Sequence, residues 1–188
     1  MLLESPEAYY SAMKSLCDNS QEVIITSFGI FCNLTISKDT SDKSKSEDRK
    51  FIELVANHPN LSIVVGVGGY SSCKDNCDAC GVAYVRRTLR IERHRQEWPG
   101  LKWYLCESLH SKVAAFKIDE RYYAIIGSRN FTGSPNKEMA MVVSDPANAK
   151  ALFEYTTRLI SVSKPVTIDT AIESAVNNSD ARYLDLIV

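Results

Sequence analysis

The stretch "LHSKVAAFKIDERYYAIIGSRNFTGSPNKEMAMVV", residues 109–143, decides what kind of sheet this chain can build. Its β-branched and aromatic content predicts strands at residues 110–118, 121–128 and 138–144. The connections are short, and a tight turn near Asp119 joins the first two strands. Because short connections join antiparallel neighbours, we expect an antiparallel set of strands in this half of the chain.

The chain before this stretch alternates between helix and strand. Ser5-Pro6-Glu7 is typical of a helix start, with a serine cap and proline at the first helical position, and this helix should end near Cys17. Apolar runs at residues 22–31 and 61–69 predict buried strands, and a helix between them ends at residues 58–60. Strands connected through helices should be parallel.

The remaining elements complete an α/β pattern. We expect a helix at residues 82–97, a strand at 101–107, a long helix at 147–162 and a short helical pattern at 168–175. This order predicts a mixed β-sheet sandwiched between helices. The length of 188 residues suits one domain, 1–188, with a cysteine-containing loop at residues 70–81.

Five polar side chains interrupt the apolar strands of the opening stretch. His110 and Lys112 are two residues apart, as are Ser128 and Asn130, and Glu138 opens the third predicted strand. Residues two apart in a strand point to the same face. We therefore expect these five side chains to converge on one patch of the sheet.

Phosphoryl transfer is the chemistry that needs this combination. Lys112 and Asn130 can stabilise the charge that builds on a phosphodiester, and His110 can attack phosphorus as a neutral imidazole. Glu138 can accept the other ring N–H of the histidine, and no metal is needed in this scheme. The alternative is a histidine satisfied by a hydroxyl group, with Lys112 extending into solvent.

His110-Ser111-Lys112, followed by Gly127-Ser128-Arg129-Asn130 and by Glu138, resembles the motif of the phospholipase D superfamily, especially its short nuclease branch. The resemblance implies a phospholipase D-like fold and a phosphohistidine intermediate. It makes His110 the nucleophile, Lys112 and Asn130 the phosphate clamps, Ser128 a supporting hydrogen-bonding group and Glu138 the partner of the histidine.

The sequence departs from the family motif at one position. The family has an aspartate five residues after the lysine, where this chain has Lys117, and Asp119 comes two residues later. A small bulge or a longer hairpin would be needed to absorb that shift. The absent aspartate weakens a lipid-hydrolase assignment more than a nuclease assignment, because the nuclease branch resembles this pattern without it.

The family active site is built from two such motifs, and this chain contains one. Its other histidines are His58, at a predicted helix end, and His94, on the predicted 82–97 helix. A symmetric homodimer would supply a second His110 as the general acid for the leaving oxygen. We therefore expect an active site that is shared across a homodimer.

The cysteine-containing loop offers a candidate metal site. Cys73, Cys77 and Cys80 form a C-x3-C-x2-C run, and three thiolates could hold a structural Zn²⁺. Candidates for a fourth ligand are Cys106, Cys32 and His94. The run also resembles the iron–sulfur motif of radical S-adenosylmethionine enzymes, although those need a large barrel that this strand order does not provide. Free thiols are the remaining alternative.

A stripe of arginines is the candidate nucleic-acid contact. Arg86, Arg87, Arg90 and Arg93 lie opposite the apolar face of the predicted 82–97 helix, where they could follow a phosphate backbone. The alternative is a solvated helix face on which Glu92 and Glu97 balance the arginines.

Charge and hydropathy indicate which partners and which cellular location to expect. Lys and Arg total 22 and Asp and Glu total 23, so the net charge of -1 gives no global positive field. The N-terminus lacks the pattern of a signal peptide, and no apolar run is long enough to span a bilayer. We expect a cytoplasmic protein without a membrane partner.

The leading hypothesis is a metal-independent phosphodiesterase that cleaves nucleic acid. We expect first a DNA endonuclease, with RNA as the second candidate substrate. The alternatives are a lipid phosphodiesterase and a nucleic-acid-binding module that has lost catalytic activity.

Overall fold

The computed structural model describes residues 1–27, 53–67, 99–107, 109–128 and 139–166. These residues form one eight-stranded sheet and two long helices, with a short helical stretch at 53–56. The elements in chain order are β1 (Leu2–Leu3), α1 (Pro6–Asn19), β2 (Glu22–Ser27), β3 (Leu61–Val67), β4 (Lys102–Glu107), β5 (Val113–Ile118), β6 (Arg121–Gly127), β7 (Ala140–Val143), α2 (Pro146–Val162) and β8 (Lys164–Pro165).

The sheet is mixed, with strand order β1-β7-β6-β5-β2-β3-β4-β8. Strands β2, β3 and β4 are parallel, and β5, β6 and β7 are antiparallel to their neighbours, as predicted. The two halves join where β5 pairs antiparallel with β2, from Glu22 opposite Lys117 to Thr26 opposite Val113. The sequence pattern did not indicate this junction.

The sheet lies between the two helices. Val23 and Ile25 of β2 pack in one apolar cluster with Met13 of α1, while Ile24 packs in a second cluster with Phe153 of α2. Neighbouring residues of a strand point to opposite faces, so the two clusters cover the two sides of the sheet. All five side chains are buried, and the predicted sandwich of helices around a mixed sheet is confirmed.

Capping explains where the helices begin. The Ser5 side chain accepts a hydrogen bond from the Ala8 amide at 3.2 Å, and Pro6 opens α1, as predicted. Helix α1 ends at Asn19, two residues beyond the predicted end. Asp145 caps α2 by accepting from the Asn148 amide at 2.9 Å.

Two of the predicted strands are shorter in the structure by more than one residue. The strand expected at 110–118 begins at Val113, so His110, Ser111 and Lys112 precede β5 rather than belonging to it. The strand expected at 138–144 covers only Ala140–Val143. The cysteine loop at 70–81, the helix at 82–97 and the tail pattern at 168–175 lie outside the described residues. Within the described ranges, neither helix is long and apolar enough to cross a bilayer.

Candidate active site

Several strand ends meet at one edge of the sheet, which we call the candidate-site edge: residues 26–27, 65–67, 105–107, 110–113, 126–128 and 139–140. Ser27 is opposite Val65 at the ends of the parallel strands β2 and β3. The antiparallel strand β5 begins there, with Val113 opposite Thr26. The topology therefore brings the His110-Ser111-Lys112 segment, which precedes β5, to the edge where β2, β3, β4 and β6 end.

His110 and Lys112 contact each other directly. The Lys112 Nζ donates to the His110 carbonyl oxygen at 2.9 Å and lies 3.2 Å from the His110 Nδ1. A lysine ammonium group has donors only, so Nδ1 is the acceptor and the ring proton is on Nε2 in this arrangement. His110 is exposed and Lys112 is half-buried, so the pair is accessible to a substrate.

Ser111 points away from this pair, toward β2. Its Oγ lies 3.1 Å from the Oγ1 of Thr26, a fully buried residue. On the other side of the segment, the Gly127 amide donates to the Lys112 carbonyl oxygen at 3.3 Å. The segment is thus attached to both neighbouring strands, although it lies beyond the regular part of β5.

The end of β6 packs tightly against the start of β7. A Cβ at Gly127 would lie 2.6 Å from the Met139 carbonyl oxygen and 3.1 Å from Ala140 Cα, so only glycine fits. The next residue, Ser128, donates its amide hydrogen to the same Met139 oxygen at 3.2 Å, and its side chain is exposed. Ser128 is therefore the residue next to Gly127, whose amide donates to the Lys112 carbonyl oxygen.

Some of the predicted site residues lie outside the described part of the chain: Asn130, Glu138, Arg86, Arg87, Arg90, Arg93, Cys73, Cys77 and Cys80. Of the proposed fourth zinc ligands, Cys106 is described. It is buried at the end of β4 and packs in the same apolar cluster as Ile24 and Val64. The part of the chain that the structure describes holds no group of three or more His, Cys, Asp and Glu side chains placed to bind a metal.

The interpretation of Asp119 as a shifted motif aspartate is wrong. Asp119 occupies the β5–β6 turn with φ 51° and exchanges two hydrogen bonds with the Gln21 side chain, at 2.7 and 2.8 Å. The register from Val113 to Ile118 is unbroken on both sides of β5, so no bulge absorbs the shift. Asp119 comes seven positions after Lys112, or roughly 20 Å along the strand. Asp119 and Lys117 both lie near the opposite end of β5.

His58 is also far from the candidate-site edge. Its Nε2 lies 3.0 Å from the Ser20 carbonyl oxygen, and its Nδ1 accepts from the Asn60 amide at 3.2 Å. Both contacts lie beside the starts of β2 and β3, at the opposite edge of the sheet. His58 therefore has a structural role, and within the described residues His110 is the histidine at the candidate-site edge.

Thr26 is the site residue that the sequence analysis missed. It lies in "EVIITS", where a hydroxyl side chain follows a run of apolar residues that are buried in β2. A buried hydroxyl group needs a hydrogen-bonding partner, so its position near the strand end was a detectable signal. The identity of that partner depended on the pairing of β2 with β5.

The chain resembles solved structures in its fold, although its sequence matches no known family. No protein-family model and no curated protein matches the sequence. Among solved structures, the chain is similar to Nuc, a phospholipase D family member from Salmonella typhimurium, with 17% identity and a TM-score of 0.54. That likeness covers 88% of this chain and 95% of Nuc. NucT from Helicobacter pylori has 16% identity and a TM-score of 0.52, over 88% of this chain and 97% of NucT.

A larger protein also shares the architecture. Phosphatidylserine synthase from Haemophilus influenzae Rd KW20 has 15% identity and a TM-score of 0.53, over 87% of this chain and 38% of the synthase. The aligned region therefore represents less than half of that enzyme. Together, these likenesses show that the chain has the phospholipase D fold that its His-Ser-Lys and Gly-Ser motifs indicated.

Proposed function

We propose that this protein is a phosphodiesterase in which His110 is the nucleophile. The observation that carries the proposal is the direct contact of His110 with Lys112 at an exposed sheet edge, with Ser128 on the neighbouring strand end. An imidazole beside a cationic clamp is suited to attack on an anionic phosphodiester. The phospholipase D fold of the chain is consistent with this chemistry.

The reaction has two displacements. The Nε2 lone pair of His110 forms a bond to phosphorus while the bond to the leaving oxygen breaks, and the leaving oxygen takes a proton. Water then attacks the phosphohistidine and gives a proton to the group that protonated the leaving oxygen; the P–N bond breaks, which releases a phosphomonoester and restores the imidazole of His110. Lys112 and Asn130 stabilise the negative oxygens in both steps, and Ser128 donates to them.

The proton on His110 must move before the attack. With Lys112 at Nδ1, the ring proton occupies Nε2, which then has no lone pair for phosphorus. An anionic phosphate attracts the Lys112 ammonium group more strongly than a neutral imidazole does. Substrate binding would therefore draw Lys112 from Nδ1, and Glu138 would accept the Nδ1–H of the attacking tautomer.

Nucleic acid is the substrate class that we favour, with DNA ahead of RNA. The arginines at 86, 87, 90 and 93 would follow its phosphate backbone. A lipid phosphodiester is the second candidate, because the similar solved structures include a phosphatidylserine synthase. A binding module without turnover is the third, and the intact His110-Lys112 pair argues against it.

The proposed site is completed by a second copy of the chain. An in-line displacement needs an acid opposite the nucleophile, and the chain has one H-x-K motif. A two-fold dimer would place a second His110 in that role. The scheme uses no metal, whereas Cys73, Cys77 and Cys80 would hold a structural zinc ion.

Cleavage assays with EDTA present test the proposal. Wild-type protein should cleave plasmid DNA, and His110→Ala should not, while both melt at similar temperatures. Parallel reactions with structured RNA and with phosphatidylcholine vesicles distinguish the substrate classes. Binding of DNA without cleavage of any substrate would favour the inactive module, and normal cleavage by His110→Ala would refute the nucleophile.

A further inference from the structure

The hydroxyl group of Thr26 lies behind the His110-Ser111-Lys112 segment, at Val113, the first residue of β5. Thr26 is fully buried on β2, and the Val113 amide donates to its Oγ1 at 3.2 Å. The same Oγ1 lies 3.3 Å from the Val113 carbonyl oxygen and 3.1 Å from Ser111 Oγ. One side chain therefore contacts both backbone groups of Val113 and the side chain between His110 and Lys112.

Only one assignment of protons satisfies these three contacts. A hydroxyl group has one donor and two acceptor positions. The Val113 amide uses one acceptor position, and the hydroxyl hydrogen is donated to the Val113 carbonyl oxygen. Ser111 must therefore donate to the second acceptor position of Thr26. In this arrangement the one donor and both acceptor positions of the buried Thr26 hydroxyl group are used.

The arrangement fixes the orientation of the segment. Ser111 is bonded on the β2 side, and the Lys112 carbonyl oxygen accepts from Gly127 on the β6 side. His110 and Lys112 flank Ser111, and they contact each other through the Lys112 Nζ and the His110 Nδ1. Because these residues precede the regular strand, the ladder of β5 does not hold Ser111 in place.

We propose that Thr26 and Ser111 form a positioning pair, which holds His110 and Lys112 in the geometry needed for attack on a phosphodiester. This inference rests on the proposed function. Neither hydroxyl group contacts the reacting atoms in this role. The pair acts by limiting the directions that the His110 ring and the Lys112 ammonium group can take, and small misplacements of reacting groups reduce rates strongly.

The substitution Thr26→Val tests the pair, because it keeps the shape of the side chain and removes the hydroxyl group. With bis(4-nitrophenyl) phosphate as the probe, we expect kcat to fall about 100-fold with little change in KM. Thr26→Ser keeps the hydroxyl group and should retain most of the kcat. Ser111→Ala should resemble Thr26→Val, and the double variant should lose little more than either single variant.

Thr156→Val is the matched control. Thr156 is also fully buried, and its hydroxyl group donates to the Phe153 carbonyl oxygen at 2.8 Å within α2. The same chemical change there should lower the melting temperature without a selective loss of kcat. Equal kcat values for Thr26→Val and Thr156→Val, measured on folded protein, would overturn the positioning role. If Thr26→Val does not fold, Ser111→Ala decides, and unchanged kcat in that variant overturns the proposal.

The two proposals fail in different ways. Normal activity in His110→Ala would refute the proposed nucleophile, whatever Thr26→Val does. Loss of activity in His110→Ala, together with normal kcat in both Thr26→Val and Ser111→Ala, would leave the proposed function standing and refute the positioning pair.

Discussion

Lys112 holds His110 at two points, with its Nζ 2.9 Å from the carbonyl oxygen and 3.2 Å from the Nδ1 of that residue. The lysine is thus a neighbour of the proposed nucleophile before any phosphate is present. In the proposed reaction it has two successive partners, first the imidazole and then the phosphate oxygens. This relationship makes Lys112 the most informative position for kinetic work.

Lys112→Ala should abolish most of the phosphodiester cleavage while the fold remains intact. We expect kcat/KM to fall at least about 100-fold, because a charged group that stabilises the transition state is lost. Lys150→Ala is the control, since Lys150 is an exposed lysine on α2 whose Nζ lies 3.9 Å from Glu154. Activity in Lys112→Ala similar to that of the control would contradict the clamp. The measurement is steady-state cleavage with EDTA present.

Gly127→Ala should destabilise the protein by about 1–3 kcal/mol, because the new methyl group would overlap backbone atoms of the adjacent β7 segment. Its Cβ would lie 2.6 Å from the Met139 carbonyl oxygen. Gly100→Ala is the matched control, since a Cβ there meets nothing within 4 Å. Urea unfolding of the two variants gives the comparison. Equal free energies of unfolding for the two variants would contradict this prediction, because they would show that the β7 backbone moves to accommodate the methyl group.

Cys17 should be unreactive toward thiol reagents in the native protein. Burial raises the pKa of its thiol from 9.0 to about 12, so the reactive thiolate is absent at neutral pH. The Cys17 thiol deprotonates at a lower pH in the unfolded chain than in the folded chain. The contribution of the buried neutral thiol to the free energy of unfolding is therefore complete below pH 9 and is lost as the pH rises toward 12.

Mass spectrometry after brief alkylation at neutral pH checks the reactivity of Cys17. Rapid labelling of native Cys17 would contradict its burial. Urea unfolding of wild type and Cys17→Ala at several pH values checks the pH dependence, which should be smaller in the variant above pH 9.

If Cys73, Cys77 and Cys80 hold zinc, purified protein should contain about one metal ion per chain by elemental analysis. Chelation should then lower the melting temperature without preventing cleavage. Cys77→Ser should lose the metal, and Cys17→Ser is the control because Cys17 lies on α1, where it is buried in the apolar core between that helix and the sheet. Metal-free protein whose stability is unchanged in Cys77→Ser would mean that the loop carries free thiols.

The shared active site predicts that activity depends on a dimer. Specific activity should fall on dilution in parallel with the dimer fraction measured by analytical ultracentrifugation. Mixing His110→Asn chains with Lys112→Ala chains should not restore wild-type activity, since each mixed dimer has a damaged histidine and a damaged clamp. A monomer that is active at high dilution would refute the shared site and direct attention to Glu107 or Glu138 as the acid.

Local patterns in the sequence determined most of the elements and the core of the proposed site. The parallel directions of β2, β3 and β4 follow from the helical crossovers that the sequence predicts between them. Helix α1 follows from Ser5 and Pro6, because a helix cap acts within one turn. The His-Ser-Lys and Gly-Ser motifs were recognisable for the same reason. Each is a short run of residues whose spacing has chemical meaning.

The tertiary structure alone decided how these pieces meet. The pairing of β5 with β2 brings Thr26 behind Ser111, although 85 residues separate them in the chain. The Thr26 hydroxyl group bonds the backbone amide and carbonyl of Val113, the first residue of β5, whereas the residue pattern predicted a strand from residue 110. The unbroken register then places Asp119 at the far end of β5. These outcomes depend on hydrogen bonds between distant segments, which local periodicity does not specify.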